Sequence, residues 1–291
     1  MRGLTCGIRC GLAGLLALLG SAVLADVQAR QSDALARIKA ATEQRTLLQT
    51  MAKSTCYLMA GVAPQLQAEQ AFIASMMFDD NTAALRDGQV EGLTEEDIDA
   101  QILSELDRID QVWRTLAPAT RQVMSGDFHA VPVQQLITLT PVAAAHLDAL
   151  VVRVAEVYHA RMVTRGELIS TITHATGQSM LMRKAIKEFC YVGIDLMRDE
   201  MRGGLGQSIE AFERILDAME TGDFDLEIVD PPGLAALGQM MEIRNVWTDL
   251  RPLLERGLQE APIGPEMLAE VAKMGDEMVA LTDGMVLLYL Q

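Results

Sequence analysis

Apolar side chains recur at Ile102, Leu106, Ile109, Trp113 and Leu116, in steps of 4, 3, 4 and 3. That spacing places them on one stripe of an α-helix. The stripe returns at Met240, Ile243, Trp247 and Leu250. Stripes this narrow suit antiparallel helices packed as a bundle. Strand signals are almost absent: "DFDLEIVD", 223–230, is the only alternating run, and Pro231-Pro232 follows it.

Breakers cut this pattern into segments. In the first half they fall at Ala63-Pro64, from Asp87-Gly88 to Gly92, and from Ser125-Gly126 to Pro132. Thr94 with Asp97 three residues later is a helix-start signature for the third segment. In the second half the breaks fall at Gly203-Gly204, from Thr221-Gly222 to Gly233, and from Pro262 to Pro265. The prediction is an all-α chain of two four-helix bundles. The fourth helix, from about Pro132 to Val163, meets no strong breaker before Arg165-Gly166 and is expected to run nearly straight into the second bundle.

The two halves share more than a period. "KSTCY" at 53–57 is nearly repeated by "KEFCY" at 187–191, an offset of 134. At that offset 41–61 and 175–195 match at seven of 21 positions, among them Lys53/Lys187, Cys56/Cys190 and Tyr57/Tyr191. Phe78 then meets Phe212, Pro118 meets Pro252, and the two tryptophans, Trp113 and Trp247, fall in register. Near the end the best match slips to 131, pairing Val157-Tyr158 with Leu288-Tyr289. Chance does not readily align both tryptophans and both of these cysteines, so the chain reads as a tandem repeat.

Residues 1–25 stand apart from this organisation. Arg2 and Arg9 precede the apolar "GLAGLLALLGSAVL", and Val23-Leu24-Ala25 offers a cleavage pattern before Asp26. This reads as a signal peptide. The expectation is a periplasmic product, soluble after cleavage, with copy one at 26–159 and copy two at 160–291. No later apolar run is expected to reach the roughly 20 residues of a membrane-spanning helix. Without Arg2 and Arg9, 22 basic side chains face 40 acidic ones, and 22 − 40 puts the mature charge near −18. Nucleic acid is a poor partner for such a chain, which has no cluster of Lys and Arg.

The first helix of each copy carries a further pattern. "IKAATEQRTLLQTMAK", 38–53, and "ITHATGQSMLMRKAIK", 172–187, resemble the Ile-Asn-x-Ala-Gly-Arg-Gln-Arg-Met-Leu-Ser-Gln-Arg-Met-Ala-Lys segment of the type IV pilus methyl-accepting chemotaxis transducer N-terminal (PilJ-type) domain. "MMFDDNTAALRDGQ" and "LDRIDQVWRTLAPATRQVMSGD" extend the likeness over the rest of copy one. The resemblance implies an extracytoplasmic helical sensor bundle related to nitrate/nitrite sensor domains, whose arginine in this motif grips an anion between first helices. Carried over, that arginine is Arg45 in copy one, but Ser179 stands at the matching place in copy two. Gln44, Gln49 and Gln178 also match the motif and join Arg45 and Ser179 as candidate ligand-binding residues. A two-arginine clamp is thus lacking within one chain. Receptors of this family continue into a membrane helix and a signalling module. This chain stops at Gln291, so its signal is expected to leave through a separate membrane-bound receptor.

On a helix over 39–60, Arg45 and Cys56 share a face, about 16 Å apart along the axis. An arginine on an apolar stripe needs a counter-charge or a ligand. A salt bridge to a nearby acid is the first expectation and anion binding the second. For Cys56 and Cys190 two readings stand. An exported pair is often bonded, and equivalent positions can meet at a two-fold axis. The alternative, preferred because tandem copies can also lie end to end, keeps each cysteine as a small buried hydrophobe in its own bundle. His129, His146, His159 and His174 form no ligand pair, "DFDLE" lacks the glycine of an EF-hand loop, and no nucleophile or phosphate-loop motif occurs. No metal, cofactor or catalysis is expected. The leading functional expectation is an exported sensor-type protein that binds a small ligand, such as the anions nitrate or nitrite. The other is a non-catalytic interaction or scaffold protein that has lost the ligand site.

Overall fold

The computed structural model describes residues 34, 36–87, 99–159 and 166–289. Among them it is all-helical, with eight helices. They are α1 (36–59), α2 (Pro64–Asp87), α3 (Ala100–Met124), α4 (Ala130–His159), α5 (Gly166–Gly193), α6 (Arg198–Thr221), α7 (Gly233–Arg256) and α8 (Pro265–Tyr289). The signal-peptide reading, the Thr94/Asp97 signature and the junction at 160–165 lie outside the described residues. The cap that is described at the start of α3 is Asp99, whose carboxylate accepts from the Gln101 and Ile102 N–H groups. It thereby satisfies two of the donors a helix start leaves orphaned.

α1 and α5 end in the same kind of turn. The Ala60 N–H donates to the Cys56 carbonyl at 2.9 Å and the Val62 N–H to the Tyr57 carbonyl at 3.0 Å. At α5, Ile194 donates to Cys190 and Leu196 to Tyr191, each at 3.0 Å. Left-handed backbone closes both turns, at Gly61 and Ala63 in one and at Asp195 and Met197 in the other. Three of these four residues carry a side chain, so glycine is not what marks the break.

The break in the second half is therefore at 194–197, which corrects the expectation of one at Gly203-Gly204. Those glycines lie inside α6. A Cβ on Gly204 would stand 2.5 Å from the Glu188 Oε1, whereas one on Gly203 would meet nothing within 4 Å. Gly204 is a site of close helix approach, with α6 pressed against α5.

α3 packs on α4, α7 on α8, and α5 on α6, α7 and α8. α1 joins α2 where the Gln44 amide donates to the Phe78 carbonyl at 3.0 Å. It meets α5 where the Tyr57 hydroxyl reaches the Ile186 carbonyl. The two helices thus lie side by side rather than in separate bundles placed end to end. That arrangement decides the cysteines: Cys56 and Cys190 form a disulfide, Cα to Cα 6.2 Å, and the preference for two isolated thiols is corrected. By length and composition α4 could cross a membrane, contrary to the expectation that no such run follows residue 25. Here it packs on α3, and Asp148 and Arg153 on its surface make ion pairs.

Phe78 lies against Trp113 with ring centroids 4.2 Å apart, and Phe212 against Trp247 at 4.6 Å. The rings match in register, but their N–H groups do not. Trp113 donates to Asp79 at 2.6 Å. Glu213, the residue 134 positions after Asp79, pairs instead with Arg251. Among the described residues the buried Trp247 N–H has no hydrogen-bond partner.

Candidate functional site

Each residue of the arginine motif has a structural partner. Arg45 Nε sits 2.7 Å from Asp148 Oδ1 on α4, with the aspartate side chain 57% exposed. Ser179, at the matching place on α5, accepts from the Arg183 guanidinium. Gln44 and Gln178 make the same contact, each donating at 3.0 Å to a backbone carbonyl, Phe78 for one and Phe212 for the other. They fasten the first helix of each half to the second. Gln49 differs, because it faces a groove and its side-chain oxygen accepts from the buried Lys187 ammonium at 3.1 Å.

That groove, about 500 Å³, opens between α1, α4, α5 and α6. Gln49, Asp148, Lys184, Lys187, Glu188 and Tyr191 line it. Lys184 is neutralised locally: its ammonium lies 2.7 Å from Glu188, whose carboxylate also accepts from the Ser208 hydroxyl at 2.6 Å. Lys187 has no such partner. Among the described residues its contact is with the neutral Gln49 amide. Burial pulls its pKa down to about 8, with Glu188 working upward and Lys184 downward. Beside it the Tyr191 phenol is buried, with the Thr55 hydroxyl as its neighbour. Burial pushes that phenol far above its usual range, opposed by the Thr55 hydroxyl.

A second groove, about 590 Å³, lies between α1, α2, α5 and α8. It holds Lys53, the residue 134 positions before Lys187. Here the buried ammonium has a carboxylate, Asp276 Oδ1 on α8 at 2.5 Å, and it also donates to Gln70. Burial lowers the Lys53 pKa and Asp276 acts against that shift. Arg183 in the same groove pairs with Asp283 at 3.2 Å. This groove is therefore internally neutralised, and its remaining walls include the apolar Leu47, Met77 and Val286.

Sequence reasoning placed both lysines in matched pentapeptides but gave them no role. The signal was there: a lysine three residues before a buried cysteine shares that cysteine's helix face. It also passed over Arg37, which is buried on α1 with its guanidinium 5.1 Å from the centre of the Tyr158 ring. Among the described residues no three His, Cys, Asp or Glu side chains gather to hold a metal ion. The chemistry on offer is recognition by buried amines, amides and a phenol. No known protein-family model, no curated protein and no solved structure matches this chain.

Proposed function

We propose that this chain is an exported, non-catalytic interaction protein built from two fused sensor-type helical bundles, acting through a separate membrane-bound partner. The observation that carries this reading is the Arg45–Asp148 ion pair. An arginine held by its own chain's carboxylate is not poised for nitrate, and its counterpart Ser179 is engaged by Arg183. The tandem origin draws support from the matched turns after α1 and α5, the matched glutamine contacts and the disulfide between positions 134 apart. Phe72, Ile73 and Met76 leave an exposed apolar strip on α2, a surface suited to a protein partner.

Thermal unfolding with nitrate and nitrite tests the reading. The wild type is expected to show no shift, and Arg45→Ala to lose no more than about 1 kcal/mol, as for an exposed pair. A nitrate-dependent rise in Tm that Arg45→Ala abolishes would sink it. A photo-crosslinker at Met76 is expected to trap an envelope receptor in living cells where one at the exposed Arg108 does not. The second reading, a small-ligand sensor, is favoured by one observation: among the described residues the buried Lys187 ammonium hydrogen-bonds to the Gln49 amide and not to a carboxylate.

A further inference from the structure

Lys53 and Lys187 are both buried, and a buried ammonium is costly unless a counter-charge meets it. The chain meets that need once. Asp276 on α8 seats its carboxylate on Lys53 at 2.5 Å. Stepping back 131 residues from α8 to α4, the offset that aligns Leu288-Tyr289 with Val157-Tyr158, Ala145 falls at the place of Asp276. Ala145 and Lys187 line the same groove. A methyl group thus stands where the other half presents a carboxylate, and among the described residues the ammonium opposite it hydrogen-bonds to an amide oxygen, with Glu188 acting on it from a distance.

We propose that the groove between α1, α4, α5 and α6 binds a small monocarboxylate, seated on Lys187 as the Asp276 carboxylate is seated on Lys53. An ammonium carries three donors and takes a carboxylate oxygen as a charge-assisted partner. Asp148, Glu188, Asp199 and Glu200 line the same groove, so a ligand with a single negative charge suits it better than a dicarboxylate or a phosphate. The site adjoins Arg45, whose partner Asp148 lines the same groove, but does not use it, and the inference goes beyond the interaction reading. It rests on the tandem correspondence only for the choice of carboxylate.

The test is thermal unfolding of the disulfide-intact mature protein with acetate, lactate and pyruvate, against chloride at equal ionic strength. A carboxylate at about 100 times its dissociation constant is expected to raise Tm by roughly 5 °C. Lys187→Met is expected to abolish that response. Ala145→Asp supplies the missing carboxylate from within, so it should raise Tm unliganded and leave no further response. A wild type silent to all three acids overturns the proposal. So does a response that survives in Lys187→Met, or one that chloride reproduces. Should Lys187→Met fail to fold, Ala145→Asp decides alone: an undiminished response refutes the seat. A stabilised Ala145→Asp beside a silent wild type would refute the ligand while leaving the tandem correspondence standing.

Discussion

Cys56 and Cys190 are joined across the contact between α1 and α5, both fully buried, with 134 positions of chain between them. Both sulfurs lie out of reach of solvent, so alkylating reagents should label neither cysteine until denaturant and reductant are present together. The intact mass should fall about 2 Da below that of the dithiol. Cys56→Ala with Cys190→Ala should lower stability by about 4 to 5 kcal/mol in the chain-entropy limit, read from denaturant unfolding.

The two α6 glycines separate a packing role from a propensity role. Gly204→Ala places a methyl 2.5 Å from the Glu188 carboxylate and should cost about 1 to 3 kcal/mol, since Glu188 is held by Lys184 and Ser208 and has little freedom to move. Gly203→Ala meets open space and should gain about 0.5 to 1 kcal/mol from helix propensity alone. Equal effects in urea unfolding would refute this account of the close α5–α6 approach.

The tryptophans should answer differently to the same change. Trp113→Phe loses the hydrogen bond to Asp79 and should cost about 1 kcal/mol beyond lost packing. Trp247→Phe removes a buried N–H without a partner, a relief of about 1 to 3 kcal/mol that offsets the smaller ring. Trp247→Phe should therefore be the milder of the two by denaturant midpoint.

Stability should rise with pH where Lys187 titrates. Its pKa is 10.5 unfolded and about 8 folded, lowered by burial first, with Glu188 opposing and Lys184 adding to the shift. Between those values the unfolded chain binds more protons, so stability climbs with pH across the window. The cost of holding Lys187 charged, on the order of 3 kcal/mol, applies fully below about pH 8. Lys187→Met should be more stable than wild type at pH 7, with the gap narrowing by pH 10. Above pH 10 the opposite trend enters, because Tyr57 and Tyr191 keep protons that the unfolded chain releases. A gap that does not change between pH 7 and 10 would refute the assignment.

Much of the fold was legible in the chain. The stripe through Leu106, Ile109 and Trp113 needs only helical period, and Pro64 and Pro265 mark helix starts that backbone chemistry imposes locally. Gly203-Gly204 misled for the same reason. A glycine that breaks a helix and one that admits a neighbouring carboxylate look alike until the neighbour is known. The true break, at 194–197, carries side chains through left-handed backbone and leaves no composition signal.

The candidate site divides in the same way. Sequence alone determined that Lys53 matches Lys187 and Cys56 matches Cys190, because identity and spacing are properties of a single strand. Only the tertiary structure decided that α1 and α5 lie side by side, that the cysteines bond, and that Arg45 pairs with Asp148. It also decided which lysine has a carboxylate and which does not. Charge pairing depends on which helices meet, and no residue's neighbours in the chain record that.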